Sequence, residues 1–207
     1  MKDNRYLRAA AREQLGGNIF SAPWLLALLA SLLYSLISGF TSSFFIGIFL
    51  IGPLSVGLHA VFLPMTRDAR EYRIEDLFYS FESSRFVKHM VLGLLYTLYL
   101  VLWSLLLVVP AIVKSYSYRL AFYLAIDHPE LTANECITMS RRLMDGRKMQ
   151  AFLLDLSFIG WMLLGTLACG IGTLFVAPYQ YAASANFYKA ICEANEELLK
   201  EASAEKA

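Results

Sequence analysis

The sequence predicts an all-α, polytopic membrane protein. Three observations carry the prediction. The chain has 207 residues, 57% hydrophobic and only 17% charged, where a soluble domain is ordinarily ~45–50% apolar and ~25% charged. Apolar stretches recur at about the 20 residues that a helix needs to cross a hydrocarbon core. Lysines and arginines gather in the segments between pairs of those stretches, the pattern that marks the cytoplasmic side. Together they predict about six transmembrane helices in three hairpins, with short interfacial helices on the cytoplasmic side.

Residues 1–18 read as a cytoplasmic amphipathic segment carrying Lys2, Arg5, Arg8 and Arg12. They contain no short apolar core followed by a small-residue cleavage site, so no cleaved leader is expected. Residues 19–192 read as one transmembrane domain, and 193–207 as a cytoplasmic tail. The first hairpin, 19–64, joins two apolar runs through the uncharged turn GFTSS. The last, 149–192, turns around CGIG.

The middle needs a decision. Residues 89–126 are almost all apolar or aromatic. As one helix they would reach ~57 Å, roughly twice the hydrocarbon thickness. A single crossing would place Arg141, Arg142, Arg147 and Lys148 on the side opposite Arg67, Arg70, Arg73, Arg85 and Lys88. Two crossings, as a hairpin over 88–127, put every basic segment on one side. The chain is therefore expected to turn near Pro110, with a single or re-entrant crossing as the alternative.

Pro53, Pro110 and Pro178 stand at matching places in the three hairpins, each early in an inward-running helix and followed by a first acid at Asp68, Asp127 and Glu193. They are the expected helix breakers, because proline lacks the N–H that continues the ladder. Polar, roughly amphipathic stretches at 3–15, 71–86 and 132–145 precede the hairpins. In the third, Thr132 and Glu135 have capping-box spacing, Gly146 suits a C-terminal cap, and Ile137, Ser140, Leu143 and Met144 share a face.

The stretches FLIGPLSVG, LWSLLLVVPAIVKSYSYRLAFYLAIDHPELTANECITMSRRLMDG and LSFIGWMLLGTLACGIGTLFVAPY, with ANFY beyond, resemble the bacterial integral membrane family of unknown function numbered 975. The likeness runs from about residue 15 to 192. It departs after the middle proline, where Ala111 stands in place of the family's usual glycine. The resemblance implies a multi-spanning protein of the bacterial plasma membrane and supplies no catalytic residue.

Motifs for catalysis are missing from the sequence: there is no HExxH, no phosphate-binding glycine loop and no GxSxG elbow. Cys136, Cys169 and Cys192 form no metal-binding spacing. His89 and His128 read as solvated interface residues. The sequence thus predicts no enzyme, no cofactor and no metal. A net charge of +1 argues against nucleic acid as a partner. The expected partners are the lipid bilayer, with anionic lipids or partner membrane proteins.

Ionisable groups at bilayer depth are costly and tend to pair inside the bundle. From the nearest inner charge, the helical rise places Arg119 and His59 ~12 Å deep and Asp155 and Asn186 ~10 Å deep. These four form a candidate intramembrane polar belt on four different spans. Arg119 and Asp155 are expected to pair, with His59 and Asn186 as interhelical hydrogen-bonding residues. Lys114 is expected to lie nearer the outer face. Two functions follow. One is a structural or regulatory membrane factor acting on lipids or partner membrane proteins. The other is a small transporter or channel-like protein with a cytoplasm-facing polar cavity. The expected location is the bacterial plasma membrane, both termini cytoplasmic.

Overall fold

The computed structural model describes residues 3–42, 47–67, 73–167 and 171–204. The described elements are all helices: α1 (Asn4–Gln14), α2 (Ala22–Ser42), α3 (Gly47–Phe62), α4 (Ser83–Leu106), α5 (Val108–Tyr118), α6 (Ala121–Asp127), α7 (Ala133–Leu143), α8 (Lys148–Leu167), α9 (Ile171–Ala194) and α10 (Glu196–Ala204). Between α3 and α4 run two 3-10 helices, Pro64–Thr66 and Ile74–Phe81. Ser43, Asp68, Arg70 and Cys169 lie outside the described residues.

Among the described residues four helices, α2, α3, α4 and α8, are long and apolar enough to cross a membrane. The sixth expected span, α9, is 24 residues long but is diluted by Gln180, Ser184, Asn186 and Lys189. The fourth is divided into α5 and α6 at Arg119–Leu120. Inside this set α3 is the core helix. In its apolar window 67% is buried, against 22%, 17% and 22% for α2, α4 and α8. It packs against α2, α4, α6, α9 and the second 3-10 helix. Large apolar side chains elsewhere are bare, among them the continuous run Leu105 to Val109 and Trp161 to Leu164 on α8. Contiguous apolar surface of this kind calls for an apolar surrounding.

Consecutive helices pack together at α2–α3, α4–α5 and α8–α9. Along α4, contacts step back while they step forward along α5 and α6: Trp103 meets Lys114, Tyr96 meets Tyr118 and then Phe122. The turn is at Leu107, whose extended backbone separates α4 from α5. Pro110 is the third residue of α5, in the first turn, where a missing N–H costs little. Glycines let two pairs approach closely. A Cβ on Gly52 of α3 would collide with the His89 carbonyl oxygen of α4 and lie 2.9 Å from the Gly93 nitrogen. On α8, a Cβ at Gly165 would sit 2.6 Å from the Thr173 nitrogen. Small residues serve this purpose between membrane helices.

Two expectations are corrected here. Pro53 and Pro178 do not break their helices; both lie inside continuous helices, α3 and α9. Each removes one ladder bond, to the carbonyl four residues back, while α3 from Gly52 to Leu58 is buried among its neighbours. His89 is not a solvated residue. It is buried, with Nδ1 2.9 Å from the Ser80 hydroxyl, because the second 3-10 helix folds over the start of α4.

Helix α7 shows why its segment is helical and where it goes. Thr132 accepts from the Glu135 N–H and Glu135 accepts from the Thr132 N–H, so the capping box is closed. Gly146 has φ +68°, the left-handed geometry of a chain leaving a helix. Ile137, Ser140, Leu143 and Met144 are all buried. The helix is more than a surface strip: it packs on α4, α5 and α6. The Ser140 hydroxyl donates to the Ser117 carbonyl (2.8 Å) and accepts from the Leu120 N–H (3.1 Å). It thus takes up backbone groups at the α5–α6 break, as freed groups in apolar surroundings require.

Candidate functional site

Arg119 caps the C-terminal end of α5, in the break before α6, and its side chain reaches across to α8. Its Nη1 donates to Asp155 Oδ2 at 2.6 Å and its Nη2 to Asp155 Oδ1 at 2.9 Å. This is the two-pronged arrangement in which a guanidinium matches a carboxylate. Nη2 also donates to the Ser184 hydroxyl of α9 at 2.7 Å. Ser184 in turn donates to the Gln180 carbonyl at 2.9 Å. The Tyr116 hydroxyl donates to Asp155 Oδ2 at 3.1 Å, and its ring lies 5.9 Å from the guanidinium. The side chains of Arg119 and Asp155 are 18% and 24% exposed.

Only two of the four belt residues meet. His59 stands apart from the pair: its Nδ1 is 2.6 Å from the Ser55 carbonyl. Its ring stacks on Phe122 at 5.6 Å and meets Tyr123 edge-on at 4.4 Å. Asn186 faces another way. It exchanges hydrogen bonds with Gln14 of α1 at 2.7 and 3.2 Å and donates to the Ala182 carbonyl. At the other end of α1, Asn4 and Gln150 bond across to α8. Leu7, Ala11 and Leu15, four apart, bury the same helix against α9.

A second cluster escaped the sequence reading. Asp127, at the end of α6, accepts from Arg67 and from the Tyr188 hydroxyl, the latter at 2.8 Å. Tyr188 stacks on Tyr123 at 4.9 Å, and Lys189 donates to the Thr66 carbonyl. The ends of α3, α6 and α9 are thereby tied. The sequence signal was the placement of Asp127 as the first acid after a span, with Arg67 just past another.

Lys114 reaches back to α4. Its ammonium lies 4.5 Å from the centre of the Trp103 ring, a cation–π contact. It lines a cavity of about 350 Å³ with Arg141, Arg142, Asp145 and Lys148. Lys114 thus stands beside the basic residues at the end of α7, Arg141 and Arg142, and at the start of α8, Lys148. Outside the spanning helices, the Cys136 thiol is pushed up to about 11, chiefly by burial. Among the described residues no group of His, Cys, Asp and Glu could hold a metal ion.

A family model described as "Protein of unknown function (DUF975)" matches residues 1–122 and 105–195. No curated protein and no solved structure matches the chain.

Proposed function

The chain belongs to the DUF975 family of proteins of unknown function, and from that premise we propose a structural or regulatory membrane factor that acts on lipids or partner membrane proteins. In this reading the protein resides in the bacterial plasma membrane with both termini cytoplasmic. It crosses six times, through α2, α3, α4, the broken pair α5–α6, α8 and α9. It is no enzyme, and the polar residues at depth hold the bundle together.

One observation supports this reading above others: Arg119 and Asp155 are bound to each other through both carboxylate oxygens and both terminal guanidinium nitrogens, and to two further side chains of the same protein, Ser184 and Tyr116. A largely buried charge pair is tolerated when its geometry is good and further hydrogen bonds support it. In a conducting path these groups would face water or cargo in place of one another. The competing reading, a small transporter, draws on the helix break beside Arg119, since broken helices form binding sites in transporters.

Reconstitution separates the two. Purified protein in liposomes, loaded with pH- and potassium-sensitive dyes, is expected to leak no faster than protein-free vesicles. A flux that disappears in Arg119→Leu while the protein stays folded would overturn the proposal.

A further inference from the structure

A cavity of about 600 Å³ lies between α1, α2, α8 and α9, and none of Tyr116, Arg119, Asp155 and Ser184 lines it. Its size is that of an ordinary small-molecule site. Arg8 and Arg12, one turn apart on α1, line one end. Trp24, Trp161, Phe175 and Tyr179 form apolar and aromatic walls. The close glycine crossing of Gly165 and Gly172 lies at the other end. From Tyr179 to Gly172 the α9 wall is seven residues, ~10 Å of helix. Trp161 and Leu164 are largely exposed, so the cavity opens sideways onto the bare apolar face of α8.

Two donors here lack an acceptor. The Nε of Arg8 and the Nε1 of Trp24 are buried and have no hydrogen-bond partner among the described residues. The Trp24 side chain is only 6% exposed. Buried donors left unmade are expensive, and both residues border one cavity. An occupant that supplies acceptor oxygens at the arginine end and hydrocarbon along α9 would satisfy both.

We propose that this cavity binds one anionic phospholipid from the surrounding bilayer, its phosphate held by Arg8 and Arg12 and an acyl chain laid along α8 and α9. Guanidinium groups take phosphate oxygens in pairs and in fixed geometry, which accounts for two arginines on one helical face. The lateral opening admits a lipid directly from the membrane. The binding site deepens the reading of a membrane factor that acts on lipids, and rests on it.

The test uses the full chain in non-ionic detergent with Trp103→Phe, which leaves Trp24 and Trp161 as the emitters of the chain's three tryptophans. Phosphatidylglycerol with brominated acyl chains should quench them at a mole fraction about tenfold below that of brominated phosphatidylcholine. That is the scale of one charged hydrogen-bond set. Arg8→Gln with Arg12→Gln should abolish the difference and leave the phosphatidylcholine curve unchanged. Val176→Phe, which keeps both arginines and fills the cavity, should weaken phosphatidylglycerol binding in a chain with unaltered circular dichroism. Equal quenching by the two lipids, or an undiminished preference in the arginine variant, would overturn the proposal. So would displacement by excess glycerol phosphate, which would make the site one for a soluble anion. Alkaline extraction of membranes tests the underlying reading separately. Release of the chain would remove the membrane reading together with the site, whereas a retained chain with no lipid preference removes the site alone.

Discussion

Replacing Asp155 by leucine removes three hydrogen bonds at once: two from Arg119 and one from Tyr116. Arg119 is then left with Ser184 alone. Loss of one member of a buried pair typically costs ~3–5 kcal/mol, because the partner charge stays behind. With 18% and 24% of the two side chains still exposed, solvent relieves part of that. The expectation for Asp155→Leu is therefore about 2–3 kcal/mol, reduced from the buried-pair range. Arg119→Leu should cost slightly less, about 2 kcal/mol, since Asp155 keeps Tyr116 and Ser184 keeps the Gln180 carbonyl. In the double variant neither charge is orphaned. Its loss should fall short of the sum of the two single losses by at least about 2 kcal/mol, the size of a contact coupling. Unfolding in mixed micelles, titrated with a denaturing detergent, measures all three. Additivity within ~0.5 kcal/mol, the range of independent sites, would refute the reasoning.

Gly52→Ala should destabilise by about 2–3 kcal/mol, the upper range for overpacking, because its Cβ meets the His89 backbone carbonyl. Gly160→Ala, with nothing within 4 Å, should be neutral or stabilising by up to ~1 kcal/mol from helix propensity, and the same titration compares them. Thr132→Ala opens the capping box and should cost ~1 kcal/mol, read from the same unfolding curve. The Cys136 thiol should resist iodoacetamide at pH 8 in the folded protein and react after denaturation, as mass spectrometry will show. Its raised pKa contributes stability that is full below its ordinary value near 9 and is lost as pH rises through about 11. For topology, single cysteines at Ser42 or Thr173 should react with an impermeant reagent outside intact cells and one at Arg142 should not; labelling at Arg142 would contradict six crossings.

Hydropathy and charge made the helical class, the paired packing of consecutive helices and the Arg119–Asp155 meeting legible. The meeting could be read because depth along a helix is arithmetic in residue number. The rotation of each helix about its axis was not legible. Asn186 stands near the same depth as Asp155 yet turns toward Gln14 on α1, a partner 172 residues away whose docking no local pattern announces. His89 looked solvated because it stands at the start of a predicted span, while Ser80 reaches it from a folded-back segment. Proline chemistry misled at Pro53 and Pro178 for a related reason. The cost of a missing ladder bond is local, but the packing around α3, which stays helical through Pro53, comes from elements far along the chain. Thr132 and Glu135 were readable because their bonds close within four residues.

The central claim is a closed bundle whose polar residues at depth are engaged by partners within the protein. Hydroxyl-radical footprinting of the protein in lipid nanodiscs, read residue by residue by mass spectrometry, tests it on native side chains. Tyr6, exposed on α1, serves as the reference. Tyr123 and Tyr188, buried and stacked on each other, should be oxidised at least about tenfold more slowly, as expected of groups without water contact. Oxidation of Tyr123 and Tyr188 at rates near that of Tyr6 would show water at the core of the bundle and contradict the account.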